Sequence, residues 1–351
     1  MDQNTLISRR SFIGGLASAG FSAGFLTAPA LHAKSPLKII KPQRLKKGDL
    51  VGLLTPASPV FEPSAILEGK RALEELGFRV KIGARVGEKW GYLAGSDQDR
   101  AGDLMEMFLD DEVRAIVALR GGYGSIRILP HLDYTVIRRH PKILLGYSDI
   151  TSLHLAIHKL SGIVTFHGPV ALSTFNEYST HYLLQTLTQA RPVQEIQMPP
   201  DAFPLVMKNT SRHRVSGQLV GGNLTLVSAT LGTPYEVDTK DKILFLEEVG
   251  EEPYSIDRML TQLRQAGKLQ QATAIILDRC RDCGPAEYKP AFNNTLSIEE
   301  VIQDRLGDLD VPVLYGLSIG HVADKPVLPL GVKASIDLKN KSFAITEAAV
   351  L

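Results

Sequence analysis

An excess of charge of either sign is missing from this sequence: 39 Lys and Arg stand against 38 Asp and Glu, a formal net charge of +1 over 351 residues. No long basic run concentrates the positive charge. A nucleic-acid partner or an anionic membrane surface, each of which selects for a basic patch, is therefore not expected. Cysteine is nearly absent, with only Cys280 and Cys283. A zinc site needs four ligands, and no second pair exists. A thioredoxin-like redox pair opens a helix near an N-terminal strand, whereas Gly284-Pro285 follows here. The pair reads as structural or free; in an oxidising compartment it could join, although so short a loop gains little entropy. His-Glu-X-X-His is missing, and neither a metal nor another cofactor is expected. Internal repeats and low-complexity tracts are also missing beyond the N-terminus.

A long, strongly apolar run is the last absence, and it shapes the reading of the N-terminus. Ser8-Arg9-Arg10-Ser11-Phe12-Ile13 is a twin-arginine pattern, followed by a weakly apolar Gly/Ala-rich stretch over residues 12–26. Gly14, Gly15, Gly20 and Gly24 make that stretch a poor spanning helix, so stable membrane insertion is not expected. Ala28-Pro29-Ala30 is a small-X-small cleavage site and Ala33 offers a second. Residues 1–33 read as a cleaved export signal of the twin-arginine route, which carries folded proteins, and the expected location is the periplasm. Removing residues 1–30 takes away Asp2, Arg9 and Arg10 and leaves a net charge of zero.

What is present is ordinary globular composition, 44% hydrophobic and 22% charged, enough for two cores. Strand-length apolar runs at 50–54, 79–82, 115–119, 143–145 and 163–166 alternate with helical patterns at 63–76, 96–109 and beyond Ser148. Strands apolar on both faces and separated by helices predict an α/β fold with a parallel sheet covered on both sides. Residues 45–190 form the first domain on this reading. The polar, proline-bearing residues 191–213 read as a linker, and residues 214–351 as a smaller α/β domain. In the latter, strands are expected at 242–248, 274–277, 313–317, 334–338 and 342–346. Ile256, Met259, Leu260 and Leu263 form a helical stripe, and Ser297 with Glu300 predicts a capping box.

Functional groups of parallel sheets gather at the carboxyl ends of strands. Gly146-Tyr147-Ser148-Asp149-Ile150 is a strand–turn–helix junction with a serine on the turn, the geometry of a nucleophile elbow. Ile150 stands where the usual second glycine would be, and a serine there also suits a helix N-cap. Arg120-Gly121-Gly122-Tyr123-Gly124 follows the third strand; it is either a turn or a loop offering backbone N–H groups to an oxyanion. It does not meet the G-X-G-X-X-G spacing of a dinucleotide loop. Glu247 and Glu248 end one strand of the second domain, and His321 follows another. The order Ser, acid, His is that of α/β-hydrolase triads, but triads are recognised by geometry. On spacing alone the carboxylates could be solvated charges, and His131, His154, His158 and His167 compete with His321 for the role of base.

These blocks together, with Glu252-Pro253-Tyr254-Ser255-Ile256-Asp257-Arg258 and Leu328-Pro329-Leu330-Gly331, resemble the LD-carboxypeptidase family of serine peptidases, which includes the muramoyltetrapeptide carboxypeptidases. The resemblance runs from about residue 45 to residue 351. It implies a Rossmann-like N-terminal domain similar to class I glutamine amidotransferases, a smaller C-terminal α/β domain, and commonly a homodimer. It implies Ser148 as nucleophile, His321 as general base and Glu247 as the acid that orients it, with the N–H groups of Gly122 and Asp149 as the oxyanion hole. The implied substrate is the murein tetrapeptide, cut at the L,D bond before its terminal D-Ala. Some relatives instead cleave microcin C-type peptidyl nucleotides, and a murein-peptide binding module would keep the fold but not the triad. A carboxypeptidase must also recognise a free carboxylate, for which Arg120 or Arg258 is the expected guanidinium.

Overall fold

The computed structural model describes residues 37–208, 210–211 and 213–351; the twin-arginine segment lies outside the described residues. Fourteen strands follow in chain order: β1 (Leu50–Leu54), β2 (Arg79–Ile82), β3 (Val113–Ala118), β4 (Ile143–Gly146), β5 (Thr165–His167), β6 (Gln194–Glu195), β7 (Leu205–Lys208), β8 (Arg214–Asn223), β9 (Lys242–Glu247), β10 (Ala274–Asp278), β11 (Val313–Leu317), β12 (Leu328–Leu330), β13 (Lys333–Asp337) and β14 (Ser342–Ile345).

The first sheet has the order β12-β5-β4-β3-β1-β2, parallel from β1 to β5. Its central strands are buried along almost their whole length, which accounts for their unbroken apolar character. At the open edge, β2 alternates exposed Arg79 and Lys81 with half-buried Val80 and Ile82, charges that discourage pairing with another chain. Helices Ser64–Glu75, Asp97–Leu109 and Thr151–Ser161 connect the strands. The second of them starts where Ser96 Oγ accepts a hydrogen bond from Asp99 N, 3.1 Å away.

The second sheet has the order β6-β14-β13-β8-β9-β10-β11-β7. Its centre, β8 to β11, is parallel, and its flanks are antiparallel. The Ser297 capping box forms as expected, opening helix Ile298–Leu306.

Two features depart from the expected plan. Residues 191–213 are not merely a connection: β6 pairs with β14, and β7 with β11, so this stretch supplies both edges of the second sheet. Edge strands show one side to water, so polar, proline-flanked sequence is no bar to them. The first sheet, in turn, takes its last strand from the C-terminal part of the chain. β12 lies antiparallel to β5, with Leu328 opposite His167 and Leu330 opposite Thr165. Pro329 is tolerated because β12 is an edge. The disposition of residues 318–327 follows from this return, since β11 belongs to one sheet and β12 to the other.

Candidate active site

Ser148 sits just beyond β4, half-buried, with φ of 62°. A non-glycine residue in the left-handed region costs about 1–3 kcal/mol and persists only where its surroundings enforce it. Asp149 is one such restraint. Its buried carboxylate accepts hydrogen bonds from Gly124 N at 3.3 Å and Ser125 N at 2.8 Å, and its main-chain oxygen accepts one from Ser125 Oγ. The elbow and the glycine loop are thus clamped together. Gly121 faces the elbow so closely that a Cβ there would lie 3.2 Å from Ser148 Cβ and 3.5 Å from Asp149 N. Glycine lets the loop backbone approach that near without displacing the elbow. Gly122, the other expected oxyanion donor, follows with φ of 112°.

Glu247 ends β9 and is 1% exposed. Its Oε2 accepts a hydrogen bond from His321 Nδ1 at 2.7 Å. This fixes the tautomer with the proton on Nδ1 and leaves Nε2 as the free basic nitrogen. The imidazole packs on the ring of Tyr147, the residue preceding Ser148, with centroids 4.8 Å apart. Residues of both sheets are therefore brought together here: the elbow of the first beside the Glu247–His321 pair of the second. A main-chain to side-chain hydrogen bond reinforces the junction: Asn223 N, at the end of β8, donates to Thr151 Oγ1 of the elbow helix at 2.9 Å.

Glu248 does a different job. Its carboxylate accepts from Asn223 Nδ2, Thr225 N, Thr225 Oγ1 and Val249 N at 2.8–3.0 Å, so it is a buried anchor. Asp278, at the end of β10, is buried beside Glu247. Burial and the Glu247 charge push its carboxyl well above the usual range, which favours the protonated acid. Gly320, the neighbour of His321, admits this crowding: a Cβ there would lie 2.2 Å from Asp278 Oδ2 and 2.8 Å from Glu247 Oε2. Asp278 was not anticipated, because nothing in its neighbourhood of the sequence marks it.

Three of the rival histidines belong to the core. His154 Nε2 donates to Gly146 O at 2.8 Å, His158 Nδ1 to Ile163 O and His167 Nε2 to Ile319 O, each at 3.1 Å. Burial pushes His154 down to about 3 and His167 to about 4, and lowers His158 as well, so all three stay neutral. His131 is exposed on a short 3-10 turn.

The two arginines expected to meet substrate part company. Arg120 is half-buried against the glycine loop, with Nη1 donating to Pro59 O at 3.2 Å. The contacts of Arg258 are local to its helix, Pro253–Gln265: Ser255 Oγ at 2.9 Å and the Tyr254 ring at 5.5 Å. A cation that sequence reasoning missed, Lys325, stands over Tyr147 with Nζ 4.6 Å from the ring centroid. Cys280 and Cys283 are joined as a disulfide, with Cα atoms 5.6 Å apart. Among the described residues, no cluster of three or more metal-ligating side chains occurs, and no helix is long and apolar enough to cross a membrane.

Known proteins resemble this chain in both halves. Residues 51–168 match the family described as LD-carboxypeptidase N-terminal domain, and residues 216–336 that described as LD-carboxypeptidase C-terminal domain. A Bacillus subtilis protein named "Probable murein peptide carboxypeptidase" is 42% identical over 311 residues, 88% of this chain and 95% of that protein. The crystal structure of muramoyltetrapeptide carboxypeptidase from Oxalobacter formigenes is 28% identical at a TM-score of 0.72, covering 85% of this chain and 99% of its own. The microcin C7 self-immunity protein MccF of Escherichia coli is 28% identical over 334 residues, 86% of this chain and 94% of that protein. Its complex with glutamyl sulfamoyl guanosine aligns at a TM-score of 0.80 over 89% of this chain and 99% of its own.

Proposed function

The chain belongs to the LD-carboxypeptidase family of serine peptidases, and we propose that it hydrolyses the L,D bond between meso-diaminopimelate and the terminal D-Ala of murein tetrapeptides. The observation that carries the mechanism is the 2.7 Å bond from His321 Nδ1 to Glu247 Oε2, set against the residue before Ser148. In the proposed sequence, Ser148 Oγ attacks the carbonyl carbon of the scissile amide while His321 Nε2 takes its proton. Glu247 holds the imidazole and stabilises the imidazolium. The oxyanion is met by the N–H groups of Asp149 and Gly122, whose loops are clamped together by the Asp149 carboxylate. His321 then gives its proton to the departing amine of D-Ala. Water, deprotonated by His321, releases the tripeptide acid from Ser148.

The test is mass spectrometry of defined tetrapeptide, tripeptide and pentapeptide muropeptides incubated with the mature protein. Tripeptide plus free D-Ala from the tetrapeptide is the expected outcome, and its absence would overturn the reading. The likeness to the microcin C7 self-immunity protein supports a second reading, hydrolysis of an acyl-sulfamoyl or phosphoramidate nucleotide. Preference for such a substrate over the tetrapeptide would select it. Tight tetrapeptide binding without turnover, with Ser148 intact, would select the binding module.

The Arg9-Arg10 pattern and the Ala-X-Ala site support action in the periplasm after folded export. Precursor with both arginines changed to lysine should remain in the cytoplasm; mature protein in the periplasm would refute the route. A homodimer is proposed on the family resemblance, and sedimentation analysis of the mature chain decides it.

A further inference from the structure

Lys325 is a charged group in the neighbourhood of the triad whose chemistry the catalytic steps leave unused. It is 4% exposed, and burying most of a lysine without a carboxylate partner disfavours its ammonium. Yet its sole hydrogen bond among the described residues is made by the main chain, from Lys325 N to Ser179 Oγ at 3.1 Å. No carboxylate pairs with Nζ among those residues. The ammonium stands instead 4.6 Å from the centroid of the Tyr147 ring, the same ring on which His321 packs. The ring supplies a cation–π attraction of about 0.5–2 kcal/mol, and the Glu247 charge supports the ammonium from a distance without pairing with it.

The position is enforced from several sides. Residues 318–325 are drawn toward the first sheet by β12. Ser318 Oγ donates to Asp324 O at 2.5 Å, Ser179 Oγ to Ala323 O at 2.8 Å, and Asn176 Nδ2 to Asp324. The segment thus carries two functional side chains four residues apart: His321 toward Glu247, and Lys325 toward the residue before Ser148. A buried cation with no carboxylate partner, set on the ring of the residue before Ser148, points to an anion that arrives with the substrate.

We infer that Lys325 Nζ binds the free α-carboxylate of the residue released by hydrolysis and so selects C-terminal over internal amide bonds. This deepens the proposed carboxypeptidase reading and rests on it. The departing D-Ala presents its carboxylate two bonds beyond the scissile nitrogen, and the Tyr147 ring, which adjoins Ser148 and carries both His321 and Lys325, puts the cation on the side where that carboxylate would emerge on this inference. Arg258 makes its contacts within its own helix, and Arg120 lies along the glycine loop with Nη1 donating to Pro59 O.

The experiment compares tetrapeptide with tetrapeptide amidated at its D-Ala, for wild type, Lys325→Met and Lys325→Arg. Met keeps the packing over Tyr147 and removes the charge. A charge-assisted bond predicts that wild type prefers the free acid by roughly ten- to a hundredfold in kcat/KM. The preference should fall to near unity in Lys325→Met and return in part in Lys325→Arg. A merely structural lysine would lower both substrates alike and leave the ratio intact; that result overturns the inference. Calorimetry on Ser148→Ala protein, with and without Lys325→Met, reads the same contact without turnover. If wild type releases no D-Ala, the carboxypeptidase reading fails, while calorimetry still decides Lys325. Equal affinities for free and amidated tetrapeptide on Ser148→Ala protein would refute a carboxylate site altogether.

Discussion

Replacing Glu247 by Gln should separate catalysis from stability more sharply than any other single change in this site. The side chain keeps its volume, and Gly320 gives it no latitude, since a Cβ at that residue would already lie 2.8 Å from Glu247 Oε2. What changes is charge. The carboxylate accepts from His321 Nδ1 at 2.7 Å in a buried setting; in the proposed mechanism it holds the tautomer and stabilises the imidazolium that forms on proton transfer. An amide that turns its NH₂ toward His321 forces the proton onto Nε2, the nitrogen needed as base. Loss of that carboxylate in a serine triad costs about 10⁴-fold in kcat, or roughly 5.5 kcal/mol at the barrier. Folding stability should not fall with it. Glu247 Oε1 is buried without a hydrogen-bond partner among the described residues, as is Asp278 Oδ2 beside it. Removing one negative charge from that pair relieves a burial cost, so stability should hold or rise by about 1 kcal/mol. The assay is the initial rate of D-Ala release at saturating tetrapeptide, with urea unfolding in parallel. A kcat within tenfold of wild type would refute Glu247 as the orienting acid. A loss of more than about 2 kcal/mol of stability would make it a structural residue instead.

Ser148→Ala should lower kcat by about 10⁴-fold or more with the fold intact; Ser148→Gly, equally inactive, should unfold about 1 kcal/mol less readily, because glycine accepts φ of 62° without strain. Circular dichroism, D-Ala release and urea titration check both, and a stable, active alanine variant removes Ser148 as nucleophile. Asp149→Ala deletes the acceptor for Gly124 N and Ser125 N, which should cost about 1–3 kcal/mol of stability and lower kcat together, with Asp149→Asn recovering part of each. Burial, with Arg281 nearby, pushes Lys325 down to about 8 against the support of Glu247. Its charge is thus present below pH about 8 and lost above it. The kcat/KM for free tetrapeptide should decline through that pH, while the amidated substrate, which meets the same Tyr147, Glu247 and His321, should show no such limb; a shared limb assigns it to another group. The sign for folding is opposite. Between pH about 8 and the ordinary lysine value of 10.5 the unfolded chain binds more protons at this site, so its contribution to stability rises with pH, and Lys325→Met should abolish that slope.

The elbow and the glycine loop were legible because each is a local pattern at the end of a buried strand, and local patterns survive in one dimension. The choice between Glu247 and Glu248 comes from the family resemblance and not from any local pattern. Neighbours on a strand point to opposite faces, so one of them meets His321 and the other Asn223 and Thr225; no spacing rule says which. The same limit hid Lys325 and Asp278. Each is placed by a long-range pairing: Lys325 by the three-residue strand β12 and by Ser179, 146 positions earlier in the chain, Asp278 by the register of β10 against β9. A strand of three residues with proline at its centre carries almost no pattern of its own, and β6 and β7 carry little more, as edges with little to bury. Yet β12 is the element that makes the site possible. Without it, the segment after β11 would leave with the second sheet; with it, the segment crosses to the first, and His321 and Lys325 come to rest on the ring beside Ser148. The residues proposed to be catalytic, far apart in sequence, are brought together because the chain's last third returns to complete the sheet that its first third began, and that return is written in main-chain hydrogen bonds, which composition does not record.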